Sequence, residues 1–123
     1  MCGSPYPTGF LADSLRGRKL VSVERAVQLM TEKPAALFGL HDRGHVAEGK
    51  RADLVVFDPK EVAPGEIETV ADLPGDSSRL TAHSSGVRRV YVTGRAIVRD
   101  GTATGEHPGT LLRSWRYTET VDI

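Results

Sequence analysis

Four histidines and one cysteine are the side chains here with the widest choice of chemistry. His41 and His45 stand at i, i+4, a spacing that stacks two imidazoles on one face of a helix and offers half of a zinc-type ligand set. Gly39 and Gly44 bracket them and argue for a turn, and no third ligand follows nearby, so they read as exposed or locally bonded histidines. His83 and His107 fall in stretches read as loops. Cys2 would serve as a nucleophile only with a base to deprotonate it, and no pattern sets one beside it, so it reads as a terminal bystander. The 16 Asp and Glu offer many nominal acid–base pairs, but spacing brings no particular two together and solvated carboxylates are the norm. A dinucleotide-binding glycine fingerprint, a Walker loop and a nucleophile elbow are all missing. The residues alone therefore assign no catalytic, cofactor-binding or metal-binding position within the chain.

Arg88, Arg89, Arg95 and Arg99 crowd one expected hairpin. A two-residue loop at Thr93-Gly94 would set Val92 opposite Arg95, Val90 opposite Ile97 and Arg88 opposite Arg99, with Val90, Val92 and Ile97 on one face and Tyr91, Ala96 and Val98 on the other. The arginine pair would repel unless an acid such as Asp100 intervened, or a phosphate or carboxylate ligand did. With 16 Lys and Arg against 16 Asp and Glu, the expectation is an acid-paired rim.

The elements that must carry these groups change character along the chain. Gly3, Pro5, Pro7 and Gly9 make residues 1–9 read as an irregular entry, with Thr8 capping a short helix through Phe10, Leu11 and Leu15 until Gly17. Ser22 is a good N-cap for a helix whose Val23, Ala26, Val27 and Met30 recur at helical spacing, with Glu24 in the first turn. That helix is expected to end near Lys33. Pro34 then opens a second short one at its first position, and Gly39 caps it. From Leu40 onward β-branched runs dominate. Asp53 leads into Leu54 to Phe57, apolar on successive positions, and the stretch reads as a strand covered on both faces. Residues 60–86, broken by Pro64, Gly65, Pro74 and Gly75, read as a long surface connection. Val87–Val92 and Arg95–Arg99 form the hairpin, Asp100-Gly101 ends its second strand, Pro108-Gly109 makes a turn, and Leu111, Leu112, Trp115 and Tyr117 suggest a docking tail.

The 123 residues have 39% apolar content and zero formal charge, an ordinary globular balance with no electrostatic warrant for nucleic acid or an anionic membrane. The longest apolar run, Leu54–Phe57, is far short of a membrane span. A single cysteine, with neither a basic leader nor an apolar signal core at the N-terminus, makes the cytoplasm the expected location.

From Pro34-Ala35-Ala36-Leu37-Phe38-Gly39-Leu40 through Asp42-Arg43-Gly44 and Glu48-Gly49-Lys50-Arg51-Ala52-Asp53 to Val56-Phe57-Asp58, the chain resembles the C-terminal stretch of the metal-dependent amidohydrolase superfamily. Val90-Tyr91-Val92-Thr93-Gly94, Asp100-Gly101, Thr104-Gly105 and Pro108-Gly109-Thr110-Leu111-Leu112-Arg113 resemble more narrowly its N-acyl-D-amino-acid deacylase (D-aminoacylase-like) branch. Thr93 departs from the Asn usual before that Gly, and Arg25 from a frequent Glu.

The resemblance implies an α+β piece, with N-terminal short helices followed by strands of a small β-sandwich, the (β/α)8 barrel absent. Residues 1–40 would be a barrel-side helical segment, 41–113 a partial β-sandwich and 114–123 a tail. It also implies a parent hydrolase acting on a non-peptide C–N bond such as that of an N-acyl-D-amino acid, with zinc or another divalent metal held at barrel strand ends by His, Asp and in some members Cys or carboxylated Lys. Those ligands would precede Met1, which would be internal to a longer frame, and this chain would be catalytically silent. Its expected partners are the missing barrel and N-terminal strands, or a second copy through open sheet edges. The alternative is a stand-alone binding or oligomerisation module derived from that tail.

Overall fold

The computed structural model describes residues 5–113 and 118. Three short helices precede six strands. They are α1 (Tyr6–Leu15), α2 (Val23–Met30), α3 (Glu32–Leu37), β1 (Leu54–Phe57), β2 (Ala63–Leu73), β3 (Ser77–Ser85), β4 (Val87–Val92), β5 (Arg95–Arg99) and β6 (Thr102–Ala103). The architecture is α+β with two open antiparallel sheets, one ordered β1-β4-β5-β6 and the other the β2–β3 pair. No closed barrel forms among the described residues.

Helix α1 begins before the expected cap. Pro5 is its N-cap and Pro7 lies in the first turn, where a missing N–H costs nothing, while the Thr8 hydroxyl donates back to the Pro5 carbonyl at 3.2 Å. In α2 the Ser22 hydroxyl accepts the Arg25 N–H at 3.2 Å, as the sequence leads one to expect. The break then falls at Thr31 rather than Lys33, and Pro34 is the third residue of α3, not its first. Either place leaves its absent donor unmissed. The Gly39 and Leu40 amides close a Schellman cap on the Ala36 and Ala35 carbonyls at 3.1 and 2.8 Å.

The stretch read as a long connection folds instead into β2 and β3, an arm turning at Pro74-Gly75-Asp76. Two irregularities in register, between Pro64 and Ile67 and between Val70 and Leu73, break the alternation that would have marked β2 as a strand. His83 accordingly lies in β3, not in a loop. The arm's base packs against α1.

β1 is an edge strand, paired on one side by β4, and it is not covered on both faces: Val55 is 57% and Val56 48% exposed. The β4–β5 hairpin has the expected two-residue turn, with Thr93 at φ 53° and Gly94 at φ 78°, the pair of positive values a type I′ turn requires. Its register holds for Val92–Arg95 and slips by one after Tyr91–Ala96, giving Val90–Val98 and Arg89–Arg99. Ile97 is the extra residue. Val98 thereby joins the face of Val90, and the arginine opposite Arg99 is Arg89 rather than Arg88. Asp100-Gly101 ends β5, as expected, and the sheet goes on beyond it. Both residues have positive φ and turn the chain into β6.

Among the described residues the buried set is small: Leu11 and Ser14 on α1, Ala26 on α2, Ala35 on α3 and Val62 between β1 and β2. Val62 is held from several sides. Its amide donates to the Asp58 carbonyl at 2.8 Å, the Arg16 guanidinium donates to the Val62 and Pro59 carbonyls, and the Gly86 backbone lies against it. Leu111 is exposed and Leu112 half-buried, while Trp115 and Tyr117 of the expected tail lie outside the described residues.

Candidate functional site

The densest set of charged side chains lies in the turns joining α3 to β1. Asp42 accepts the Arg43 Nε–H at 2.9 Å through Oδ1 and the Arg51 Nε–H at 2.7 Å through Oδ2. Arg43 reaches on to Asp53 Oδ2 at 3.1 Å, and Asp53 Oδ1 accepts the Thr93 backbone N–H at 2.8 Å. Two main-chain bonds run beside these contacts: Arg51 N–H donates to the Asp42 carbonyl at 2.8 Å, and Gly94 N–H to the Ala52 carbonyl at 2.9 Å. Carboxylates and guanidiniums thus alternate from the α3–β1 turns to the tip of the β4–β5 hairpin. Sequence reasoning missed this clasp, although Asp42-Arg43 and Arg51-Ala52-Asp53, opposite charges flanking two turn glycines, were its visible signal.

The electrostatics give the clasp a holding role. The Arg43 guanidinium, bonded to Asp42 and aided by Arg51, outweighs partial desolvation and holds that carboxyl at about 2. A general base works best with a pKa near the operating pH, so Asp42 is a poor proton acceptor. Both arginines are spent on carboxylates as well.

Three of the four hairpin arginines are acid-paired, in line with the expected rim. Arg88 meets Glu61 at 2.7 Å and Asp58 at 3.6 Å, Arg89 meets Asp100 at 2.7 Å, and Arg95 meets Glu106 at 3.1 Å. Asp100 is the acid that relieves the arginine repulsion, although the pair it separates is Arg89 and Arg99. Arg99 has no ion pair among the described residues.

His41 and His45 sit in turns, not on a helix, so their i, i+4 spacing does not stack them. Both are exposed, as are His83 on β3 and His107 in the segment after β6. Among the described residues no three His, Cys, Asp or Glu side chains come together as a metal would require. Cys2 lies outside the described residues. No helix among the described residues is long and apolar enough to cross a membrane.

A sequence model described as "Amidohydrolase family" matches residues 6–98. N-acyl-D-aspartate deacylase of Alcaligenes xylosoxydans xylosoxydans is 38% identical over 109 residues, covering 85% of this chain and 19% of that protein. D-aminoacylase of the same organism is 40% identical over 93 residues, covering 76% of this chain and 17% of its own length. Among solved structures, a D-aminoacylase described as defining a novel subset of amidohydrolases superimposes with a TM-score of 0.60 at 37% identity, over 82% of this chain and 19% of that one. Another D-aminoacylase, studied for the functional role of its binuclear metal centre, gives 0.62 at 39% identity with the same coverage. The chain spans about a fifth of the length of these relatives. Its described side chains do not fit a binuclear centre, because the donors such a centre needs do not converge on it.

Proposed function

The chain belongs to the amidohydrolase family, and from that membership we propose that it is the C-terminal part of a hydrolase that cleaves a non-peptide C–N bond, with N-acyl-D-amino acids as the substrate class. The observation that carries this reading is one of coverage: the match takes in most of this chain and only a fifth of each deacylase. In the complete enzyme the barrel and its divalent metal ions, zinc among the candidates, lie in the preceding residues. Metal-activated water is the chemistry they supply there.

Within that enzyme this chain binds no reacting atom. Its work is scaffolding. The Asp42–Arg43–Asp53 clasp and the Arg16 bridge fix the order of helices and strands, and the β1-β4-β5-β6 sheet is one part of a small β-sandwich. N-terminal strands of the complete enzyme complete that sandwich along the open edge of β1, where unpaired backbone groups are ready for another strand. The proposed location is the cytoplasm, which suits a sequence with a single cysteine.

The test is the DNA 5′ of the Met1 codon, followed by assay of the frame it belongs to. An open frame encoding His and Asp ligands, whose product releases the amino acid from N-acyl-D-amino acids in a metal-dependent way, is the expected result. A stop codon directly upstream overturns the proposal. So does hydrolysis by purified residues 1–123 that survives controls for contaminating enzyme.

A further inference from the structure

We propose that Asp100-Gly101 is a site of self-modification, where the chain converts its own aspartate to isoaspartate at a rate that the Asp100–Arg89 ion pair restrains. The inference goes beyond the hydrolase reading and needs neither barrel nor metal. The reacting atoms are the Gly101 nitrogen and the side-chain carboxyl carbon of Asp100, and a side chain on the following residue hinders their approach. Asp100 is the one aspartate followed by glycine. Beyond its chain neighbours, no atom lies within 4 Å of where a Gly101 Cβ would stand. The Gly101 N–H has no hydrogen-bond partner among the described residues, so nothing there competes for the attacking nitrogen. Asp42, Asp53 and Asp72 precede the bulky Arg43, Leu54 and Leu73, and Asp58 precedes Pro59, which has no N–H to give. Asp13 and Asp76 precede serine, the next smallest neighbour.

In the attack the Gly101 nitrogen gives up its proton and bonds to Asp100 Cγ, and a carboxyl oxygen leaves as water, closing a succinimide ring. Water then adds to one of the two ring carbonyls. Addition at the main-chain carbonyl breaks the original peptide bond and routes the backbone through Cβ and Cγ, with no net change in mass. In the folded turn the reaction is held back. Asp100 Oδ1 lies 2.7 Å from the Arg89 guanidinium, so the carboxylate has to leave that partner and the turn has to open. Opening takes little free energy here, because β6 is a two-residue edge strand joined to β5 by two register pairs, and the Asp100 side chain is 67% exposed. Thr104, bonded to the Ile97 and Ala96 carbonyls at 2.9 and 2.8 Å, keeps the chain beyond β6 attached and the opening local. Isoaspartate lengthens the turn and takes the carboxylate from Arg89, which then faces Arg99 without its acid.

Incubation of the full 123-residue chain in neutral buffer over several weeks, followed by isoaspartyl-specific enzymatic methylation and peptide mapping, tests this. Isoaspartate is expected at position 100, and severalfold less of it at positions 13 and 76. Arg89→Gln should raise the rate at position 100 severalfold and leave position 76 unchanged, and Gly101→Ala should nearly abolish the reaction. A second measurement does not depend on the arginine variant folding. Asp100→Asn closes the same ring with ammonia leaving in place of water, so the folded chain should gain the mass difference between an amide and an acid at that position. No isoaspartate at position 100, isoaspartate there only after unfolding in urea, a rate indifferent to Arg89→Gln, or an amide that persists in the asparagine variant overturns the proposal. None of these outcomes bears on whether the complete frame hydrolyses N-acyl-D-amino acids, so the two readings fail separately.

Discussion

Asp42 shows how one carboxylate can hold several turns together without doing chemistry. Its pKa of about 2, set chiefly by Arg43 with Arg51 behind it, lies below the ordinary 3.8, so its contribution to stability is complete above about pH 4 and fades as pH falls through 2. Because the group is partly solvated, that contribution is about 1 kcal/mol. In urea titrations at several pH values, Asp42→Asn should cost this much at pH 6, and the gap to the parent chain should narrow steadily between pH 4 and 2. A constant gap would mean the clasp acts through shape alone. Gly86 is the other residue with an outsized role. At φ 72° a side chain is strained there, and a Cβ would stand 2.3 Å from the Val62 nitrogen and 2.5 Å from the Glu61 carbonyl carbon. Gly101 has φ 79° but no atom within 4 Å of its would-be Cβ. Gly86→Ala should therefore lose at least about 3 kcal/mol, against about 1 kcal/mol for Gly101→Ala. Equal losses in chemical denaturation would sink the close-approach argument.

Elements whose signals are local could be read directly. Ser22 caps α2 because an Ncap hydroxyl and the amide three residues on are neighbours in any helix start, whatever packs around them. The β4–β5 turn is equally local, and it carries a prediction. Thr93 is held at φ 53°, a region costly for a β-branched residue and tolerated by Asn. Thr93→Asn should stabilise the hairpin by about 0.5–1 kcal/mol, seen as a raised unfolding midpoint with unchanged m-value, since the Asp53 carboxylate bonds the backbone N–H, which the substitution keeps, and only a long, exposed 3.4 Å bond from the hydroxyl to the Pro108 carbonyl is given up. A lowered midpoint would contradict this. Register was less legible: the extra residue at Ile97 moves Val98 to the other face and changes which arginines meet, and no residue type announces it. The β2–β3 arm escaped notice for the same reason, because its irregularities leave Ile67, Val70 and Leu73 out of step with a period of two.

At the scale of the molecule, the core formed by the described residues is thin. Few side chains are fully buried, and Phe38, Leu37 and Val55 stand more than half exposed. Unfolding such a chain exposes less new surface than unfolding a compact domain of equal length. Its urea m-value should therefore fall below that of compact 123-residue proteins when measured as a monomer, and rise toward it once a covering partner is present. A full-sized m-value for the monomer would show that the chain closes on itself more than its exposed apolar residues suggest.

Family membership was within reach of the sequence, because turn glycines, the Ala52-Asp53 pair and the apolar run after it lie in a fixed order along the backbone. The helix caps and the type I′ turn were legible too, since each depends on residues three or four apart. Tertiary structure alone decided what those residues meet. It brought Asp42, Arg43, Arg51, Asp53 and the Thr93 amide into one clasp, paired three arginines of the hairpin with acids, and left β1 at an open edge. The physical reason is distance. A cap or turn is closed by neighbours in the chain, whereas a charge pair, a strand register or an uncovered face depends on segments that only the complete fold brings together.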